Sequence, residues 1–191
     1  RSVNYKNNFA SIDDISFIDM GFNRTSITYY HKNKLSFFHT MKIGGNHITK
    51  DISKLLGLDL IEAEKIKLYF DKDPNILIDK NLSIELIQKI IFARIEEILE
   101  LCVKSIQTNE HPGQQEDSKM ILMGEGSKIL DNKFKDEISF PQKIDLLEET
   151  TSDISESALK LSKGLNKQEV ITIPKKHIKE GFFERLFHFF K

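Results

Sequence analysis

Ile15-Ser16-Phe17-Ile18-Asp19-Met20-Gly21-Phe22-Asn23-Arg24-Thr25-Ser26-Ile27-Thr28-Tyr29-Tyr30 is two β-prone runs with a glycine turn between them. Both runs are rich in β-branched and aromatic residues, which fit a pleated surface. His31-Lys32-Asn33-Lys34 is a second, polar turn, and Leu35 to Ile43 reads as a third strand. Three strands joined by tight connections make an antiparallel meander.

Beyond the meander the sequence carries helical signals. Ile48, Ile52, Leu55 and Leu56 lie on one helical face that stops at Gly57. A second helix covers Leu60 to Phe70, and Asp71-Lys72-Asp73-Pro74-Asn75 breaks it. The longest periodic stretch runs from Ser83 to Ile106, with Ile84, Ile87, Ile91, Ile95, Ile98 and Cys102 along one face. After a polar loop, Lys119-Met120-Ile121-Leu122-Met123 is a short buried strand that delivers Gly124-Glu125-Gly126-Ser127. Phe134 to Ile144, with Pro141 near it, reads as a closing edge strand. The pattern predicts a mixed α/β (α+β) domain.

Composition removes several function classes. The 191 residues are 39% hydrophobic and 30% charged, the balance of a globular chain. A net charge of -1 gives no basic field for nucleic acid. The single Cys102 excludes an intramolecular disulfide and reads as a buried thiol. No apolar run approaches the ~20 residues of a membrane-spanning helix. There is no signal peptide, and a chain that starts at Arg1 and soon enters a strand leads us to expect an upstream part.

From Asp145 to Glu156 there are five acidic residues and no basic ones. Glu148 to Pro174 reads as a flexible tether in which Ile154, Leu159 and Leu161 offer one weak amphipathic turn. The tail that follows is different. On a helix, Phe182, Phe183, Leu186, Phe187, Phe189 and Phe190 fall within an arc of roughly 160°, with Glu184, Arg185, His188 and Lys191 opposite. Such a face lies in a bilayer interface, docks on its own domain or fills a partner's groove. Five basic against two acidic side chains between Lys175 and Lys191 suit anionic headgroups.

Two turns are candidate phosphate sites. In Asp19-Met20-Gly21-Phe22-Asn23-Arg24-Thr25 a glycine lets backbone N–H groups approach a phosphate, and Asp19 could hold a magnesium-bound water. The alternative is an ordinary hairpin. Gly124-Glu125-Gly126-Ser127 is a second glycine turn, or simply a strand-to-helix connection. Glu64 and Lys67 share a helix face, either as surface charges or as contacts for ribose hydroxyls. No metal-ligand spacing, Walker-type loop or nucleophile motif is present.

In this order the segments resemble the second half of the bacterial cell-division protein FtsA, in the actin-like superfamily. Asp19-Met20-Gly21 through Thr25 resembles the second phosphate loop, usually Asp-x-Gly-Gly-Gly-x-Thr. Ile43-Gly44-Gly45-Asn46-His47-Ile48-Thr49-Lys50-Asp51-Ile52 is similar to the opening of the next helix, and Ala63-Glu64-Lys65-Ile66-Lys67 to the helix whose Glu and Lys reach the nucleoside. Arg94-Ile95-Glu96-Glu97-Ile98 resembles a Pro-Arg-x-x-Glu-Ile helix, with Ala93 in place of Pro. Leu122-Met123-Gly124-Glu125-Gly126-Ser127-Lys128 is similar to the adenosine loop, and Gly181-Phe182-Phe183-Glu184-Arg185-Leu186 to the membrane-targeting ending.

The resemblance implies an actin-like, ribonuclease H-like subdomain 2A from residues 1–67 and 118–147. It implies an inserted subdomain 2B at 68–117, a linker at 148–174 and a membrane-targeting tail at 175–191. It further implies ATP with Mg2+ held by Asp19, Gly21, Asn23, Thr25, Glu64, Lys67, Gly124, Glu125, Gly126 and Ser127, with Asp19 reaching the metal through water. Phe182, Phe183, Arg185, Leu186, Phe187, Phe189, Phe190 and Lys191 would touch the membrane. The implied role is to self-assemble on the cytoplasmic face of the bacterial membrane at the division site and tether FtsZ there. Nucleotide acts as a conformational ligand. Phe22 and Asn23 stand where Gly-Gly is usual, and Glu125 replaces a glycine, so weak ATP binding and at most a slow ATPase are expected. The first phosphate loop would come from outside this sequence. An active ATPase or sugar-kinase relative, a pilus-assembly homologue and the rod-shape actin MreB are the alternatives. Intact glycine loops would favour the first, and the absence of a C-terminal amphipathic helix the other two.

Overall fold

The β-prone runs of residues 15–30 form adjacent strands of a sheet in the computed structural model, which describes residues 2–73, 75–78, 82–109, 118–130 and 143–165. A short helix, α1 (Ser2–Tyr5), and a 3-10 turn (Lys6–Phe9) come before β1 (Asp14–Met20). β2 (Thr25–His31) and β3 (Lys34–Met41) then form the expected antiparallel meander. Lys32 and Asn33 both have positive φ, 47° and 62°, as a two-residue hairpin turn requires. The third strand stops at Met41 rather than Ile43. The Thr25 hydroxyl donates to the Ile43 carbonyl at 2.7 Å, and the chain turns away from the ladder there.

Four helices follow: α2 (Gly45–Leu56), α3 (Leu60–Tyr69), α4 (Asn75–Ile78) and α5 (Ile84–Asn109). Gly57 ends α2 in the left-handed conformation, φ 67°, while the Leu58 N–H bonds Ser53 O at 3.0 Å. Asp59 caps α3, its carboxylate accepting from the N–H groups of Ile61 and Glu62 at 2.8 and 2.9 Å. β4 (Lys119–Met123) lies parallel to β1, and β5 (Lys143–Leu146) parallel to β4, giving the order β3-β2-β1-β4-β5. The expected closing edge strand is thus present at its C-terminal end. The rest of that stretch, residues 131–142, lies outside the described residues.

Ile18, Met20, Ile27, Tyr29, Met120 and Leu122 face the helices, packing with Ile48 and Ile52 of α2, Ile66 of α3 and the α5 stripe. Ile15, Phe17, Tyr30, Ile121 and Met123 form a smaller core with Tyr5 on the other face. β1 and β4 are therefore covered on both sides, which explains their nearly unbroken apolar runs. Along α5, Ile87, Ile91, Ile95, Ile98 and Cys102 are buried, each isoleucine contributing roughly 1.5–3 kcal/mol. Ile84 is a correction: at 41% exposed it sits in the first turn, outside the packed stripe. Burial pushes the Cys102 thiol up to about 12, in keeping with an inert core cysteine. Arg94 of α5 clamps Asp51 of α2 with Nε and Nη2, at 2.5 and 2.8 Å, and this hydrogen-bonded pairing raises its pKa further.

The described residues as far as Ser157 belong to one compact unit, and those from Ala158 on to a second. A helix, α6 (Thr151–Leu165), occupies a stretch in which the sequence offered one weak turn. Its start is a reciprocal cap: Thr150 N–H and hydroxyl donate to Asp153 at 2.8 and 2.7 Å, and Asp153 N–H returns to the Thr150 hydroxyl at 3.2 Å. No helix among the described residues is long and apolar enough to cross a membrane. The membrane residues expected at 182–191 lie outside the described residues.

Candidate functional site

The ends of β1 and β4 and the N-terminus of α2 are pressed together by glycines. Gly21 N–H donates to Arg24 O at 2.8 Å, closing the turn after β1. That turn is then stitched to α2: Gly45 N–H donates to Gly21 O at 3.0 Å and Asn46 N–H to Phe22 O at 2.7 Å. A Cβ on Gly44 would lie 2.9 Å from both Arg24 N and Phe22 O, and one on Gly126 would lie 2.8 Å from Met20 O. Gly124 has φ 94°, so the turn after β4 also needs glycine for its backbone conformation. At these positions the missing side chain makes room for neighbouring backbone.

Beside this junction is an open cleft of about 750 Å³. Phe22, Ile48, Leu68, Phe70, Ile129, Leu130 and Leu146 form its apolar walls. Its charged lining is Glu64, Asp71, Glu125 and Glu148 against Lys67, Lys72 and Lys128, so carboxylates outnumber ammonium groups. Of the sequence-predicted residues, Glu64, Lys67, Glu125 and Gly126 line this cleft.

Lys67 is the most enclosed of the charged groups. Its Nζ donates to Glu64 Oε2 at 2.6 Å, Thr49 Oγ1 at 2.9 Å and Gly45 O at 3.3 Å. The Thr49 hydroxyl in turn donates to Glu64, so the three side chains close a ring. The Phe22 ring covers the ammonium, its centroid 5.7 Å from Nζ. Thr49 was missed by the sequence reading. Its only signal was membership of the Gly44-to-Ile52 stretch.

The other predicted residues hold the junction and do not line the cleft. Asp19 is paired in register with Ser26 and Met123, half-buried at the end of β1. Asn23 accepts from the Asn46 side chain at 3.0 Å, and buried Thr25 spends its hydroxyl on Ile43 O. Gly124 O accepts the Ser127 hydroxyl at 2.7 Å. Glu125 pairs with Lys128 at 2.7 Å on the surface. Among the described residues, no group of three or more His, Cys, Asp or Glu could hold a metal ion. For a nucleotide, the apolar wall and the Glu64 carboxylate fit a base and its sugar hydroxyls. At the phosphate end, the Lys67 ammonium and the N–H groups of Gly45 and Asn46 are already engaged, and Lys72 and Lys128 are the other ammonium groups of the lining.

Comparison with known proteins agrees with this geometry. MreB5 of Spiroplasma citri bound to ADP superposes with a TM-score of 0.57 at 17% identity, over 87% of this chain and 58% of that one. The archaeal actin homologue Ta0583 superposes at 0.54 and 15% identity, over 87% and 52%. The chain therefore has the actin-like fold. Residues 16–89 match the family described as "Cell division protein FtsA". The cell division protein FtsA of Streptococcus pneumoniae is 34% identical over 97 residues, 44% of this chain and 21% of that protein. Over residues 16–89, then, the chain is similar to FtsA. It spans less than a third of the length of the curated relatives it matches.

Proposed function

We infer that this chain is part of an FtsA-type cell-division protein that self-assembles on the cytoplasmic face of the bacterial membrane and holds FtsZ filaments there. The observation that carries the reading is the FtsA-like match over residues 16–89, the segment that contains both the glycine turn after β1 and the Glu64–Lys67 pair. In this reading residues 1–67 and 118–147 are subdomain 2A, and 68–117 are subdomain 2B, the face for FtsZ. The acidic stretch from residue 148 links them to the phenylalanine-rich end, whose apolar arc enters the bilayer interface while Arg185 and Lys191 meet anionic headgroups. Adenine nucleotide with Mg2+ is a conformational ligand, weakly held, and turnover is slow or absent.

Flotation with anionic lipid vesicles tests the reading directly. The chain should float and carry FtsZ with it, whereas a chain truncated after Pro174 should stay at the bottom with FtsZ. Flotation of both forms, or of neither, would remove the membrane role, and a floating chain that leaves FtsZ behind would remove the tether.

A further inference from the structure

Among the described residues the sheet ends in β5 on one side and β3 on the other, and the two edges are built differently. β5 has 4 residues, and two of them, Lys143 and Asp145, are charged, Asp145 pairing with Lys119 of β4 at 2.6 Å. A short, charged edge resists the addition of a further strand. β3 has 8 residues. Its register against β2 slips by one between Leu35 and Phe37 and then runs unbroken to Met41. Residues 37–41 hold no proline, no glycine, and no lysine, arginine or carboxylate. Phe37 and Met41 are half-buried against the main core, while Phe38, 61% exposed, stands in solvent with His39 and Thr40. Alternate residues of an edge strand turn unpaired N–H and C=O groups outward, and an extended peptide can hydrogen-bond to such a row.

The charges lie at the two ends of this stretch and have one sign. Lys32 and Lys34 are exposed at its start, and Arg24 and Lys42 at its finish, where Thr25 pairs with Met41. Of the two carboxylates beside the start, Asp14 is engaged by Tyr29 and His31, and Asp13 is exposed. An apolar middle between cationic ends is complementary to a strand with an apolar middle and acidic ends. The same charges disfavour a second copy of this chain. Antiparallel pairing of β3 with itself about Phe38 sets Lys34 against Lys42 at both ends, and like charges directly opposite destabilise a ladder.

We propose that the outer edge of β3 takes up an extended segment of another protein by strand addition, a segment β-branched along its middle and acidic at both ends. This edge lies outside residues 68–117, the face assigned above to FtsZ. Fluorescence anisotropy with the whole chain reads it out, using labelled Asp-Asp-Val-Thr-Ile-Thr-Val-Asp-Asp and a counterpart with lysine at every acidic position. The acidic peptide should bind at least about tenfold more tightly. Lys34→Glu combined with Lys42→Glu should reverse that order, and because both side chains are exposed the fold should tolerate the change. N-methylation of alternate peptide residues removes the donors from one side of its backbone. One alternate set should cost at least about tenfold in affinity and the other less than about twofold. Equal binding of the two peptides, binding of neither, an order unmoved by the double substitution, or indifference to both methylated sets would each overturn the proposal. Sedimentation of the chain alone covers the other occupant: a dimer that Phe38→Lys returns to monomer would give the edge to a second copy and overturn the peptide.

Discussion

Glu64–Lys67 on α3 and Glu125–Lys128 in the turn after β4 have the same sequence spacing, nearly the same ion-pair length (2.6 and 2.7 Å) and the same cleft. Lys67 is 6% exposed and Lys128 52%. Around Lys67 stand the Thr49 hydroxyl, the Gly45 carbonyl and the Phe22 ring, all from distant parts of the sequence. Lys128 has no such enclosure and keeps its charge in solvent. An i, i+3 pair on its own is a weak interaction. It becomes structural only where other elements take away the water and supply the remaining hydrogen bonds.

The largest test of that contrast is Lys67→Met, which keeps the aliphatic stem and removes the charge. Thr49 and Glu64 then lose a buried partner, and denaturant unfolding should show a loss of about 2–3 kcal/mol, below the ~3–5 of a fully buried pair because Glu64 reaches solvent. Adding Glu64→Gln should return part of that loss, and a strictly additive double variant would argue that the two side chains act separately. Next in size is Gly126→Ala. Its Cβ would press on Met20 O and Gly21 O, at 2.8 and 2.9 Å, so the turn must shift at a cost of about 1–3 kcal/mol, seen in the same unfolding midpoint. The smallest effect belongs to Lys128→Ala, which should move stability by less than about 0.5 kcal/mol. A change as large as that of Lys67→Met would erase the distinction between the pairs.

The same contrast explains what the sequence could disclose. The β-branched and aromatic content of residues 15–30 is a local signal, and it marked β1 and β2 to within a residue at most ends. The apolar run at 119–123 announced a strand, but its partner β1 lies about a hundred residues upstream, and no local pattern specifies that pairing. α6 went unread because its acidic, serine-rich composition resembles a tether, whereas the Thr150–Asp153 cap gives it a definite start. In the cleft, Glu64 and Lys67 were legible as one helix face. Their enclosure was not, because burial depends on which distant side chains arrive.

The parallel pairing of β1 with β4 also has a consequence for how the molecule comes into being. When the meander leaves the ribosome, β1 has β2 on one side and nothing on the other until Lys119–Met123 has been made. At ~5–20 residues per second, the intervening hundred or so residues take roughly 5–20 s to synthesise. Throughout that interval a strand destined for the middle of the sheet is an open edge, the template on which unwanted strand pairing starts. The α5 stripe, pinned to α2 by the Arg94–Asp51 clamp and made before β4, shelters one face of the strand, while its free edge waits for Lys119–Met123.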